Sequence, residues 1–411
     1  MPCDPLPQNA LLVLGASQEH IPLYEEARRR GMPTIAVDMR ADAPAFPFAD
    51  AALEISTRDA GAIVDALGDV RPAGIVGGAS DAALATWHTL GVRYDAPYVY
   101  PKDAFAGLDK AAFHAAVASC GITDYGWVAS SDPDEVVAKA AGLPLPLVVK
   151  PVDGSGSKGV TLVAHPDDLP AAVAHARVYS ASQTVIAEEC VEGRQLTIDL
   201  FLRGGRSMMT CVKELEFVAG SVVRRICTVQ LSPEEDDHLE ASAERLCRAW
   251  GIVDGPANFD LVLGADGQAR IIEADPRLSG DSIPRLLAAA YGVNVVGALV
   301  ALTLGEPLDG HLLATRNEHA AVELVGSQLV TDGELVAWDG VVAARSVPGI
   351  TDVVLYAEPG DLVRPHDQSG HKIGMVVAAG PSVADVSLAL ETAGALVRPI
   401  VRPVTVAKGE S

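Results

Sequence analysis

Three carboxylates lie close together in one stretch of the sequence, NFDLVLGADGQARIIEADPR. The turn Ala265-Asp266-Gly267 predicts a β-hairpin whose two strands run between Phe259 and Asp275. Because side chains alternate along a strand, Glu273 and Asp275 point to one face, and Asp260 on the partner strand can reach the same face. The spacing therefore predicts a surface with three neighbouring carboxylates.

Such a set of carboxylates either keeps a proton or is held together by a cation. Mg2+ fits best, because it prefers oxygen ligands and is usually held by one or two carboxylates together with substrate phosphates. An exposed acidic hairpin is the alternative, and the apolar pair Ile271-Ile272 directly before Glu273 argues against it. We therefore favour a metal site with the ligands Asp260, Glu273 and Asp275.

Arg277 follows this hairpin, two residues beyond Asp275. Its planar guanidinium can hold a carboxylate or a phosphoryl group with two parallel hydrogen bonds. The alternative is a structural ion pair with one of the neighbouring acids. Arg285 on the following helix is a further candidate.

A glycine-rich loop, Asp153–Gly159, separates two short apolar runs in VVKPVDGSGSKGV. It opens no helix, as a dinucleotide-binding turn would, and Val160 stands where a Walker A loop has lysine. A loop of small residues can wrap phosphate oxygens with its backbone N–H groups, and a plain surface hairpin is the alternative. The candidate phosphate contacts beside the backbone are two hydroxyls and two lysines: Ser155, Ser157, Lys150 and Lys158.

Composition limits the class of protein. The 411 residues include 31 basic and 54 acidic ones, which gives a net charge of −23. This charge argues against nucleic acid and anionic membranes as partners, because both are bound through Lys and Arg. The hydrophobic fraction of 49% is that of a globular chain, and its length predicts two or three domains. The six cysteines form no C-x-x-C pair and the N-terminus resembles no signal peptide, so we expect a reduced, cytoplasmic protein.

Alternating apolar strands and helices must position these residues. The first hundred residues predict a small doubly wound sheet, with strands Leu11–Leu14, Thr34–Val37 and Gly74–Val76. The next part predicts a small lobe of helices and strands, and longer strands follow Gln195. The last ninety residues read as strand-rich and end in a helix, Val383–Ala393.

The order of these motifs resembles the ATP-grasp superfamily of carboxylate-amine ligases: Lys110, then VVKP with the glycine loop, AEECVEG, and finally Asp260 with EADPR. The ending HKIGMVVAAGPSVADVSLALETAGALV resembles the C-terminal lobe of the branch that contains L-amino-acid ligases and purine-pathway enzymes. The resemblance implies a mixed α/β and α+β ATP-grasp fold. Its parts would be a Rossmann-like pre-ATP-grasp domain (1–112), a lid subdomain (113–188), a central metal-binding subdomain (189–320) and a small strand-rich C-terminal lobe (321–411).

The resemblance also implies roles for single residues. ATP would be bound by residues of three motifs: Lys110, Lys150, Ser155, Gly156, Ser157 and Gly159 for the phosphates, Glu189, Cys190 and Val191 for adenine, and Gln195 for ribose. The family usually has glutamate in place of Gln195 and asparagine in place of Asp275. Asp260, Glu273 and Asp275 would hold two Mg2+ ions, which Mn2+ can replace. Arg277 and Lys150 would be the catalytic cations.

The implied reaction is ATP-dependent amide formation between a small carboxylate and a small amine, with amino acids as the substrates. It would pass through an acyl phosphate and release ADP and phosphate. Candidate substrate residues are Lys213, Glu214, Arg277, Ser279, Gly280, Asp281 and Arg285, and solvated strand-end charge is the alternative for each. A homodimer is expected. A purine-pathway enzyme of the same branch and an ATP-binding regulatory protein without turnover are the competing interpretations.

Overall fold

The chain is described here by a computed structural model, which covers residues 5–122, 124–154, 158–217, 222–326, 332–366 and 371–404. Its first part is a parallel four-stranded sheet in the order β3-β2-β1-β4, as the doubly wound pattern predicts. The elements are β1 (Leu11–Leu14), α1 (Ile21–Arg29), β2 (Thr34–Asp38), β3 (Ala51–Glu54), α2 (Ala60–Leu67), β4 (Gly74–Gly77) and α3 (Leu84–Tyr94). Strands β1 and β4 are buried along their whole length, which explains their uninterrupted apolar sequence.

A second, antiparallel sheet of four strands forms a separate small body in the order β5-β8-β6-β7. Helix α4 (Lys110–Ser119) precedes this body and packs on β13 (Ala269–Asp275) and α7 (Pro233–Ala249) of the main core. The elements of the body itself are β5 (Trp127–Ser130), α5 (Pro133–Ala140), β6 (Leu147–Pro151), β7 (Thr161–Val163), α6 (Leu169–Val178) and β8 (Val185–Glu189). Helices α5 and α6 cover the sheet and share with it a core of their own. We call this body the lid sheet.

The third body is an eight-stranded sheet in the order β13-β12-β9-β10-β11-β14-β18-β16. Its strands are β9 (Arg194–Arg203), β10 (Arg206–Phe217), β11 (Val223–Thr228), β12 (Gly255–Leu263), β13 (Ala269–Asp275), β14 (His319–Val325), β16 (Ile350–Leu355) and β18 (Gly374–Gly380). Strand β14 contains the predicted domain limit at residues 320 and 321, so the sheet continues from the central part into the C-terminal part.

The remaining elements cover this large sheet. A small sheet joins β15 (Gly333–Asp339), β17 (Leu362–Val363) and β19 (Arg398–Pro403). The helices are α7 (Pro233–Ala249), α8 (Ile283–Tyr291), α9 (Val295–Thr303), α10 (Asp309–Leu312), α11 (Val341–Arg345) and α12 (Val383–Leu396). Helix α9 packs on α1 and β4, so one hydrophobic core runs from the first sheet into the large one.

None of the described helices is both long and apolar enough to cross a bilayer alone. Helices α8 and α9 reach the necessary length and apolar composition only together, as a pair bent by 113°.

The C-terminal part depends on one close backbone contact. Gly340 has φ of 73°, and a Cβ atom there would lie 2.1 Å from the carbonyl oxygen of Leu396 at the end of α12. Gly267 in the hairpin turn has nearly the same φ, 74°, but no atom within 4 Å of the Cβ position.

We therefore expect Gly340→Ala to lower the Tm clearly more than Gly267→Ala. Both variants carry the left-handed strain of about 1–2 kcal/mol, and only the first must also displace the end of α12. Differential scanning calorimetry of the two variants makes the comparison, and an equal loss of Tm would contradict the close contact at Gly340.

Candidate active site

The register of β12 and β13 places the three predicted carboxylates on one face of the hairpin. Asp260 is paired with Glu273, and Asn258 is paired with Asp275. A β-bulge between Asp260 and Leu261 shifts the register by one residue, so that Leu261 pairs with Ile271 while Asp260 pairs with Glu273. We call Asp260, Glu273 and Asp275 the carboxylate face.

Burial and mutual repulsion act on this face. Burial and the neighbouring Glu273 together raise the pKa of Asp260 to about 6, although Lys213 opposes the shift. Burial is also the largest of the causes that raise the pKa of Asp275 to about 8; Arg277 opposes this shift and the surrounding acids add to it. The raised pKa values show that these carboxyls resist carrying negative charge side by side, which a bound cation would relieve.

The carboxylate face fits a hard divalent cation by its donor chemistry, since its polar atoms are carboxylate oxygens with the amide of Asn258 beside them. Within the described ranges, no three Asp, Glu, His or Cys side chains converge closely enough to form a cage around one ion. Mg2+ needs no such cage, because it normally takes one or two carboxylates and completes its shell with water and phosphate oxygens. The pairs Asp260–Glu273 and Glu273–Asp275 are suited to that role.

Arg277 lies between two acids from different parts of the chain. Its Nη2 atom is 2.8 Å from Asp275 Oδ2, and its Nε atom is 2.5 Å from Oδ1 of Asp81, just beyond β4. Burial alone would lower the pKa of Arg277, but Asp275 and Asp81 outweigh it and raise this pKa above its ordinary value. The structural ion pair considered for Arg277 is thus present, and it joins the first sheet to the carboxylate face.

Lys110 brings the glycine loop to the carboxylate face. It begins α4, where its Nζ donates to the carbonyl oxygen of Gly154 at 2.9 Å and lies 3.5 Å from Oε1 of Glu273. Asp153 fixes the start of the loop by accepting hydrogen bonds from Ser180 and Ser182. The predicted phosphate contacts Ser155, Gly156 and Ser157 lie outside the described residues.

Lys150 belongs to a series of adjoining charged side chains between the lid sheet and α4. Its Nζ lies 2.7 Å from Oε2 of Glu188, whose Oε1 lies 3.2 Å from Nε2 of His114. The Nδ1 atom of His114 is 2.9 Å from Asp124, and its ring stacks on Trp127 with centroids 4.9 Å apart. Burial would raise the pKa of Glu188, but Lys150 and His114 outweigh it, so that this carboxyl stays ionised.

Two cavities flank the Arg277–Asp275 pair. The inner pocket has about 310 Å³ and the outer pocket about 570 Å³. The carboxylate face contributes Asp260 and Asp275 to the inner pocket, and Glu273 and Asp275 to the outer one, which also reaches Gly154 of the glycine loop. Phosphates held near the loop would therefore lie on the outer side, with a second molecule on the inner side.

Some predicted substrate residues line the inner pocket and others do not. Arg277, Ser279 and Gly280 line it, as do Lys213 and Asp281. Glu214 does not line the inner pocket, because the pleat of β10 turns Lys213 inward and Glu214 to the other face, where its carboxylate accepts two hydrogen bonds from Arg194. Its contact with a substrate stays a prediction.

Arg285 does not line the inner pocket either. On α8 it pairs with Asp352 of β16 at 2.5 Å, and its contact with a substrate stays a prediction.

The predicted adenine and ribose residues follow the lid sheet. Glu189 ends β8 and packs over Gly126, while the N–H of Cys190 donates to the carbonyl oxygen of Pro146 at 2.9 Å. Val191 is partly buried in the short link to β9, and Gln195 is exposed near the start of that strand. Their contact with a nucleotide stays a prediction.

Sequence reasoning missed several residues of the site. Glu19 and Asp81 follow the carboxyl ends of the parallel strands β1 and β4, which is where open parallel sheets bind ligands, so that rule gave a usable signal. No local sequence pattern points to Lys372, His114 or Glu188 as site residues. Each of them contacts a charged partner that is distant in the sequence.

Comparison with known proteins agrees with the fold. Residues 143–285 match the family model described as ATP-grasp domain, and residues 328–402 match the one described as L-amino acid ligase C-terminal domain 2. The uncharacterized protein y4rH of Sinorhizobium fredii is 28% identical over 320 residues, 75% of this chain and 64% of that protein. Carnosine synthase 1 of Homo sapiens is 28% identical over 275 residues, 60% of this chain and 31% of that protein. The chain thus spans less than two thirds of both relatives.

Solved structures share the fold at low identity. Phosphoribosylglycinamide synthetase from Anaerococcus prevotii superposes with a TM-score of 0.80 at 16% identity, covering 96% of this chain and 100% of that one. L-amino acid ligase from Bacillus licheniformis superposes with a TM-score of 0.78 at 16% identity, with the same coverage of 96% and 100%. The predicted ATP-grasp fold, with its Rossmann-like first part and strand-rich end, is therefore confirmed.

The charged side chains around His114 lead to a pH-dependent prediction. Burial would lower the pKa of His114, but Asp124 and Glu188 outweigh it and raise this pKa above 6.5. The protonated ring of His114 therefore stabilises the fold fully at pH values below the pKa that His114 has in the unfolded chain. This stabilisation is lost as the pH rises through the higher pKa that His114 has in the folded chain. His114→Phe keeps the ring that stacks on Trp127, and we expect it to lower the Tm by about 2–5 °C at pH 6 and by less at pH 9.

His175→Phe is the matched control, because His175 is an exposed histidine on α6, which covers the lid sheet. Thermal unfolding at both pH values measures the effect. A loss of Tm in His114→Phe that is equal at pH 6 and pH 9 would contradict the charged role of His114.

Proposed function

We propose that this chain, which belongs to the ATP-grasp superfamily, is an ADP-forming ligase that joins a carboxylate to an amine, with amino acids as substrates. The relatives support this class: carnosine synthase and L-amino acid ligase are named for joining amino acids. One observation carries the proposal. Lys110, the glycine loop and the carboxylate face meet where the outer pocket adjoins the inner one, so a phosphate group and a second molecule can lie on opposite sides of Asp275.

The proposed reaction has two steps. A carboxylate oxygen of the first substrate attacks the γ-phosphorus of ATP, and the bond from that phosphorus to the ADP oxygen breaks, which gives an acyl phosphate. The amine nitrogen of the second substrate then attacks the acyl carbon, and inorganic phosphate leaves with the bonding electrons while the nitrogen loses a proton. Both steps require positioning and charge stabilisation more than covalent help from the protein.

The cations of the site supply that stabilisation. Lys110 contacts Gly154 near the start of the glycine loop, Lys150 lies on β6 just before the loop, and each is paired with one carboxylate. Arg277 reaches the boundary between the two pockets with several N–H donors, two of which Asp81 and Asp275 accept. We infer that Arg277 turns from Asp81 to the transferred phosphoryl group, since a guanidinium binds phosphate and carboxylate oxygens in the same way.

Asp260, Glu273 and Asp275 would hold one or two Mg2+ ions, with Mn2+ able to replace them, and the metal would neutralise the phosphate charge of bound ATP. The chain's own part is to present these oxygens on one rigid face, fixed by the hydrogen bonds between β12 and β13. Lys110 additionally limits the freedom of Glu273 by its ion pair.

A purine-pathway substrate is disfavoured by the charges of the inner pocket. A phosphoribosyl group brings its own negative charge, whereas the described lining of this pocket already has four carboxylates, Glu19, Asp260, Asp275 and Asp281, against three cations, Lys213, Arg277 and Lys372. The other alternative is a protein that binds ATP without turnover, and the following experiments distinguish it from a ligase.

Glu273→Gln tests the carboxylate face. The variant keeps the size of the side chain and removes its charge, so we expect Mg2+-dependent ADP formation to fall by about 100-fold or more while the Tm stays near that of the wild type. A coupled ADP assay with ATP and paired amino acids measures it. Asp266→Asn in the turn of the same hairpin is the control, and full turnover in Glu273→Gln would remove Glu273 from the metal site.

The products test the reaction itself. With ATP, Mg2+ and pairs of amino acids, we expect equal amounts of ADP, inorganic phosphate and an amide-linked product, because the attack is at the γ-phosphorus. Chromatography of the nucleotides and mass spectrometry of the amide measure them. AMP with pyrophosphate would show attack at the α-phosphorus instead and would contradict the proposed mechanism.

A further inference from the structure

The imidazole ring of His114 is enclosed between α4 and the lid sheet. The residue is fully buried, and its ring stacks on Trp127 with the two ring planes 18° apart. The ring of Tyr125 meets it edge-on, with the centroids 5.0 Å apart. The imidazole is thus withdrawn from water, so any charge on it must be balanced by groups of the protein.

Both nitrogen atoms of this ring face a carboxylate. Nδ1 lies 2.9 Å from Oδ1 of Asp124, and Nε2 lies 3.2 Å from Oε1 of Glu188. A neutral imidazole has one N–H group and one lone pair, so it can donate a hydrogen bond to only one of these acids. The imidazolium donates to both, and its position against the face of Trp127 adds a cation–π attraction. The geometry therefore fits the charged form of His114.

Glu188 is the carboxylate that links this ring to Lys150. Its Oε1 faces His114, and its Oε2 lies 2.7 Å from Nζ of Lys150, so one carboxylate serves two cations. The side chain of Glu188 is only 4% exposed, and in such surroundings charges interact strongly. The two cations share the negative charge of Glu188, and the strength with which Glu188 holds Lys150 depends on the charge of His114.

Helix α4 relates His114 to the glycine loop. Lys110 begins this helix, and His114 follows four residues later, on the same side of the helix. Lys110 contacts Gly154 and Glu273, whereas His114 contacts Glu188 on β8. The helix therefore carries two cations one turn apart, of which one meets the glycine loop and the other shares the acid that holds Lys150.

From these contacts we propose that His114 is a positioning residue for the binding of ATP. Its charged ring shares the carboxylate of Glu188 and so leaves the ammonium of Lys150 available to a phosphate group. Without that charge Glu188 would belong to Lys150 alone, and a phosphate would have to break a buried ion pair. The inference rests on the proposed function, because it takes Lys150 as a phosphate contact, and it adds the residue that controls this lysine.

The role of His114 gives ATP binding a pH dependence of definite sign. Burial lowers the pKa of His114, but Asp124 and Glu188 outweigh it and keep this pKa above 6.5. Tyr125 also faces the ring, and burial raises its pKa well above the ordinary value, so that it stays neutral. Lys150 is therefore most available at low pH, where His114 is charged, and becomes less available as the pH rises through the pKa of His114.

Calorimetric titration of the full chain with ATP and Mg2+, without amino acids, tests this role apart from turnover. In His114→Gln the side-chain amide can donate to Glu188 but carries no charge. We expect the variant to raise the Kd for ATP about tenfold at pH 6 and clearly less at pH 9, where the wild-type ring has lost more of its charge. An equal increase at both pH values would show that only the shape of the ring matters, and it would overturn the proposal.

Lys150→Met removes the ammonium through which His114 acts. In that background His114→Gln should change the Kd for ATP by less than about twofold, because no lysine remains to be released from Glu188. The same effect of His114→Gln in both backgrounds would overturn the proposal, since His114 would then act by another route. His175→Gln on the exposed side of α6 is the control and should leave the Kd unchanged at both pH values.

The wild-type ring offers a second measurement, which applies even if His114→Gln does not fold. Between pH 6 and pH 9 the Kd for ATP should rise more in the wild-type chain than in Lys150→Met, because only the wild type has a lysine for Glu188 to recapture. The same rise in both chains would overturn the role of His114.

These outcomes are independent of the ligase reaction. If the titrations give the expected pattern but no ADP forms with any pair of amino acids, the proposed ligase reaction fails while the role of His114 stands. If ADP forms as proposed but the effect of His114→Gln is the same at pH 6 and pH 9, only the role of His114 fails.

Discussion

The ion pairs of Arg277 are the constraint on which the site depends. A guanidinium that is largely withdrawn from water must have anionic partners, and here these come from two distant parts of the chain, Asp81 beyond β4 and Asp275 at the end of β13. This requirement docks the carboxyl ends of the parallel first sheet against the carboxylate face. Both pockets lie along that junction and share Ala79 and Asp275 in their walls.

The same principle recurs through the site, where charges are buried in opposed pairs. Lys110 faces Glu273, Lys150 faces Glu188, and Lys372 faces Glu19 and Asp281. Each of these cations is therefore held in place by an acid from another segment of the chain, so the positions of the charges in the site depend on the tertiary fold.

The sequence predicts the arrangement of residues that are close together along the chain better than contacts between distant residues. Alternation along the hairpin predicted that Asp260, Glu273 and Asp275 share a face, and the apolar runs predicted the parallel first sheet. The same alternation was available for β10, yet both Lys213 and Glu214 were predicted as substrate residues, whereas Lys213 lines the inner pocket and Glu214 pairs with Arg194 on the other face. One strand alone does not tell which of its faces is inward. Glu19 and Lys372 meet through folding alone, and no spacing in the sequence relates them.

The large sheet has a mechanical consequence. The carboxylate face lies on β12 and β13, and the C-terminal part contributes β14, β16 and β18 to the same hydrogen-bonded sheet, so the walls that these strands form keep fixed separations. The lid sheet shares no strand with this large sheet, and the short link after Glu189 leads from one to the other. There Gly193 fits against the end of β12, where a Cβ atom would lie 2.2 Å from the carbonyl oxygen of Leu263. The carboxylate face thus belongs to one continuous sheet and the glycine loop to another, and Gly193 packs closely where the chain passes between them.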